Sequence, residues 1–140
     1  MGRIAREKMK NLREIFQACS HTACFFDKRI RHVNQRDADG DTPLHIVCFW
    51  GDAEAAGVLL DAGAGVNVPG DMGRTPLFDA VCSGNTELIA LLINAGADTN
   101  QTDDYGKTPM QLAINLGKEE VVRFLDCYAA HKLSAPAVSK

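Results

Sequence analysis

A tetrapeptide returns at a fixed interval along this chain, and that interval limits the possible folds more than any other feature. Thr42-Pro43-Leu44-His45 recurs as Thr75-Pro76-Leu77-Phe78 and again as Thr108-Pro109-Met110-Gln111, a constant step of 33 residues. Further columns keep the step: Gly40, Gly73 and Gly106; Gly51, Gly84 and Gly117; Glu54, Glu87 and Glu120; Leu59, Leu92 and Leu125; Asn34, Asn67 and Asn100; Gly63 and Gly96. So many columns in one ungapped register mark a structural unit repeated along the chain.

Each unit is readable on local chemistry. Threonine before proline sets an N-cap ahead of a residue whose fixed φ suits the first helical position. A short helix follows, Leu44 to Trp50 in the first clear unit, and Gly51 ends it where a left-handed residue is cheapest. Asp52 and Asn85 can cap a second helix; Lys118, in the same column, lacks the acceptor. Val58, Leu59 and Leu60, like Leu91, Leu92 and Ile93, give that second helix its apolar face. Gly63 and Gly96 close it, and the polar, glycine-containing stretches 64–74 and 97–107 carry the chain back as extended turns.

A helix–turn–helix with an extended turn, 33 residues long and opening on Thr-Pro-Leu-His, resembles the ankyrin repeat. The resemblance implies an all-α repeat fold, a solenoid of about four repeats with β-hairpin-like loops. Units are expected at 37–69, 70–102 and 103–130. Residues 1–36 read as a degenerate first repeat that caps the stack. There Leu12, Ile15, Phe16 and Cys19 follow helical spacing, and Phe25, Phe26 and Ile30 suggest a second helix. Ala129 stands where a glycine would end the last helix, and 131–140 is expected to be a flexible tail.

Composition narrows the function. With 15 basic and 18 acidic residues the chain carries a net charge of −3, against the basic excess of a general nucleic-acid binder. No apolar run approaches the roughly 20 residues that span a bilayer. Met1-Gly2 opens a myristoylation pattern, but Arg6 stands where serine or threonine is expected. The five cysteines are odd in number and lie mostly in apolar stretches, the usage of a reducing, cytoplasmic compartment. Cys19 and Cys24 with His21 and His32 lack the tight paired spacing of a zinc site, and no cofactor is expected. No catalytic triad, phosphate loop or metalloprotease motif occurs, and Cys82 has no histidine near it in the repeat register. The chain does not read as an enzyme.

Ankyrin repeats commonly meet a partner protein on the concave side, at the hairpin tips and the exposed ends of the first helices. Carried over by column, the resemblance implies Asp39 and Asp41, then Asp71, Met72 and Arg74, then Asp104, Tyr105 and Lys107, together with Phe49 and Trp50. Two adjacent helix residues point about 100° apart, so both cannot enter the core equally. Trp50 is read as an interface anchor; the alternative is that Phe49 packs on the next repeat and Trp50 covers a helix end. Aspartates at 37, 39, 41, 71, 103 and 104 suggest an acidic rim suited to a partner with a basic patch, although aspartate also shapes turns. Asp79, where the other repeats have Ile46 and Leu112, is either a solvated edge residue, the favoured reading, or a contact for a cation. His45 is expected to bridge neighbouring turns. The function implied is an adaptor or scaffold binding another protein, with no nucleic acid, membrane or small-molecule substrate evident. The alternative is a dedicated inhibitor, such as an immunity protein that neutralises a toxin or enzyme.

Overall fold

The computed structural model describes residues 11–20 and 32–134, with side chains to Ala129. It contains helices α1 (Leu12–Ser20), α2 (Pro43–Trp50), α3 (Ala53–Asp61), α4 (Pro76–Ser83), α5 (Thr86–Asn94), α6 (Pro109–Leu116) and α7 (Glu119–Ser134). The expected second helix around Phe25, Phe26 and Ile30, and the Cys24 end of the rejected metal motif, fall outside the described residues.

The helices begin and end where side-chain chemistry directs. Proline is the first residue of α2, α4 and α6, preceded each time by an extended threonine. Gly51, Gly84 and Gly117 end these helices with φ of 76°, 78° and 70°, a left-handed conformation open to glycine without strain. Asp52 caps α3 by accepting from the Ala55 N–H, and Asn85 caps α5 by accepting from Glu87 and Leu88. The last helix departs from its expected end at residue 130: with Ala129 in the glycine column, α7 runs on to Ser134.

Helices of eight or nine residues are too short to persist alone in water, so stacking must hold them. The first helices α2, α4 and α6 form one row and the second helices α3, α5 and α7 another, with α1 packed on α2 and α3. Ile15 and Cys19 of α1 are fully buried, and Leu44, Leu59, Leu77, Phe78, Leu88 and Leu92 continue the core along the stack. Burying each such side chain contributes roughly 1.5–3 kcal/mol. At the far end the cover runs out. Ile114 is 58% exposed, although Cys48 and Val81 in its column are completely buried by the repeat that follows them.

Polar staples set the spacing between repeats. The Asn34 amide donates to the Gly63 carbonyl and accepts from the Gly65 N–H, and Asn67 does the same with Gly96 and Asp98. That explains the asparagine column. No strand forms among the described residues; each hairpin-like tip is a turn closed across its base by a backbone bond, with a second bond inside it from the glycine N–H at 40, 73 or 106. Asp37 N–H donates to the Asp41 carbonyl, Gly70 to Arg74 and Asp103 to Lys107.

Candidate functional site: the concave groove

The tips project beside the first helices, and between them runs a groove of about 330 Å³. Its lining is Asp41, His45, Ile46, Phe49, Trp50, Asp71, Met72, Arg74, Asp79 and Cys82. Six of the ten residues expected at a partner surface therefore come together here: Asp41, Phe49, Trp50, Asp71, Met72 and Arg74. The other four, Asp39, Asp104, Tyr105 and Lys107, lie on the exposed tips outside the groove.

Adjacent aromatic residues divide the work. Phe49 is 62% exposed and does not pack into the next repeat, while Trp50 is half-buried against the core. Tyr105, at 68% exposure, is the most open large hydrophobic side chain among the described residues. Met72 is exposed as well and holds a left-handed backbone, φ 59°, unusual for a residue with a side chain.

The aspartates separate into two groups. Asp37 and Asp103 are buried and turn inward. Each accepts from two N–H groups of its own tip, Asp39 and Asp41 in one case and Tyr105 and Lys107 in the other. The expected acidic rim is thus corrected at these two positions: they shape turns and are not offered to a partner. Burial pushes the Asp103 pKa up, but these N–H bonds and Arg74 outweigh it and hold the carboxyl below its usual range. Arg74 itself is drawn toward Asp103, Nε to Oδ2 at 3.6 Å. Asp41 reaches across to the next tip and accepts from the Asp71 N–H at 2.9 Å.

His45 lies under the groove as a strut. Its Nδ1 accepts from the Thr42 N–H at 3.0 Å, and Nε2 is 3.1 Å from the Arg74 carbonyl of the next tip, which fixes the proton on Nε2. Burial holds its pKa below the usual range, and Asp41 only partly offsets this. The ring is a neutral bridge between neighbouring turns, as the family resemblance implies.

The residue that column reasoning undervalued is Asp79. It is half-buried on α4, and no hydrogen bond or ion pair reaches its carboxylate among the described residues. Desolvation first, then the neighbouring Asp41 and Asp71, raise its pKa to about 8, with Arg74 opposing them. The sequence signal was present: a carboxylate in the column of Ile46 and Leu112. The solvated reading is corrected, because walls supplied by its own and the preceding repeat exclude much of the water.

A stability consequence follows from the sign of that shift. Between about pH 4 and pH 8 the unfolded chain ionises at Asp79 while the folded chain keeps the proton, so this residue lowers stability as pH rises through that window. Asp79→Leu should raise the melting temperature, with the gap over wild type widening from pH 4 to pH 8 by several degrees, the scale of about 1 kcal/mol. A gap that stays constant across that window would show that the carboxylate is well solvated.

Cys82 is also raised by burial and by Asp79, so it stands as a thiol and not as a nucleophile. Among the described residues no cluster of histidine, cysteine and carboxylate could hold a metal ion, and no helix is long and apolar enough to cross a membrane.

The family model for ankyrin repeats matches the chain in three copies, over residues 10–103 and 69–134. No curated protein matches it. The family match, the 33-residue register and the stacked helix pairs agree: this chain belongs to the ankyrin-repeat family, whose repeats generally serve as protein–protein interaction modules.

Proposed function

We propose that the chain is an adaptor that binds a partner protein along its concave face, through Phe49, Trp50 and Met72 in the groove and Tyr105 on the adjoining tip. The observation that carries this is the exposure of Phe49, 62%, beside a half-buried Trp50. An open aromatic next to an anchored one forms the kind of patch that concentrates binding energy. Around it Asp39, Asp41, Asp71 and Asp104 remain turned toward solvent or the groove, while Arg74 is paired with Asp103. That balance supports a partner with a basic patch, drawn in by faster encounter more than by added affinity. Thiols at Cys48, Cys82 and Cys127 that form no disulfide among the described residues support a reducing, cytoplasmic setting.

Phe49→Ala with Tyr105→Ala tests the surface without touching the core. The double variant should lose at least tenfold in capture of native partners while its melting temperature stays within a few degrees of wild type. Undiminished capture would place the interface elsewhere. The captured partner also separates adaptor from inhibitor: an adaptor leaves its partner active, and a dedicated inhibitor abolishes that activity on binding.

A further inference from the structure

We infer that the concave groove receives one lysine or arginine side chain of the partner, its methylene stem along Phe49 and Met72 and its cationic head against the Asp79 carboxylate. The inference rests on the concave face being the partner surface, and it adds what the groove itself selects.

Three observations carry it. The groove, at about 330 Å³, lies at the small end of the range for ligand pockets and suits one long side chain better than a folded segment. Its rim is apolar at Phe49, Trp50 and Met72, which suits the stem of a long cationic residue and offers ring faces to its head. The charges around it are unequal: Asp41, Asp71 and Asp79 face one cation, Arg74, and that guanidinium is already drawn to Asp103. Asp41 is engaged with the Asp71 N–H. Asp79 is left with no hydrogen bond or ion pair among the described residues, in a column that elsewhere holds Ile46 and Leu112. A half-buried carboxyl without a counter-charge holds its proton in the free protein, and an incoming cation favours the ionised form that pairs with it. An anionic partner group would meet the carboxylates of Asp41 and Asp71 and is rejected by the same charges.

The test pans a phage-displayed random-peptide library on the full chain and measures the enriched peptides by calorimetry. The peptides should share a lysine or arginine beside apolar residues. Asp79→Leu, which restores the apolar residue of the column, should weaken them at least tenfold, and so should replacing that lysine or arginine by norleucine. The two changes together should cost little more than either alone, the mark of a direct pair. Peptides that depend on Phe49 but carry no cation, or ignore Asp79→Leu and Asp79→Asn, overturn this inference and leave the concave reading intact. Peptides indifferent to Phe49→Ala overturn both. A library that yields no binder overturns the side-chain pocket, since a preformed groove should select one.

Discussion

Replacing Phe78 by alanine is expected to destabilise the fold by about 3–5 kcal/mol, the range for removing a fully enclosed phenylalanine. Phe78 is the largest completely buried side chain among the described residues, and it lies on α4, which packs against α2 on one side and α6 on the other. The repeat register shows what the aromatic ring displaced. His45 and Gln111 occupy the same column, and each accepts from the N–H of its threonine N-cap, Thr42 and Thr108. Phenylalanine has no acceptor. The Phe78 N–H donates to the Thr75 carbonyl at 2.9 Å, and the buried Thr75 hydroxyl oxygen has no hydrogen-bond partner. A lost cap bond costs about 1 kcal/mol, and burial of the whole ring exceeds it. The central repeat has exchanged a polar latch for apolar filling.

Because repeats are coupled only to their neighbours, loss at the centre should also split the array. Urea unfolding followed at Trp50 and at Tyr105 should give one coincident transition in wild type and separated midpoints in Phe78→Ala. A loss below about 1 kcal/mol, with coincident transitions, would mean that the adjoining repeats do not rest on this ring. Ile114→Ala serves as the matched control. Its column-mates are buried, but at 58% exposure it should cost less than about 0.5 kcal/mol.

That contrast shows how far the sequence carries the reading. The 33-residue columns disclose the helices and their caps at Asp52 and Asn85, because each depends on chemistry within a unit, and the family resemblance adds the His45 bridge. Exposure is different. Ile114 and Val81 are equivalent in the register and opposite in burial, since burial depends on whether another repeat follows. The aspartates repeat the lesson at the site. Asp37 and Asp39 are two residues apart in one tip, yet one side chain ties the turn and the other stands in solvent. Charge counting alone treats them alike. Asp79 was visible as an exception to its column, but its environment comes from burial in the groove first and then from Asp41 and Asp71 on two successive tips. The groove residues were legible as a set by column; which of them meet required the spatial arrangement of tip and helix.

Gly70→Asp is the substitution for which column reasoning and structure give opposite answers. Asp37 and Asp103 hold the same place in the flanking tips, each with two N–H bonds to its carboxylate, so the register alone predicts that aspartate at 70 repairs the middle tip. The structure predicts a loss of about 2 kcal/mol, the scale of overpacking together with a broken hydrogen bond. A Cβ at Gly70 would lie 2.1 Å from Asp41 Oδ1 and 2.9 Å from His45 Nε2. Asp41 could swing away, at the expense of its bond to the Asp71 N–H. His45 is pinned at both ring nitrogens and cannot yield so easily. A second carboxylate beside Asp41 adds like-charge repulsion.

The register also names the compensating change. Position 41 is the column of Arg74, and position 70 is the column of Asp103, so Asp41 over Gly70 is the counterpart of the Arg74–Asp103 ion pair one repeat later. Asp41→Arg combined with Gly70→Asp should therefore recover more than half of the loss, with a coupling energy of about 1 kcal/mol or more in the double-mutant cycle. Chemical denaturation of the four proteins measures it. Additive losses would show that the two columns are independent. Recovery would show instead that the small residue at 70 is held by the carboxylate at 41, one of the residues that line the groove.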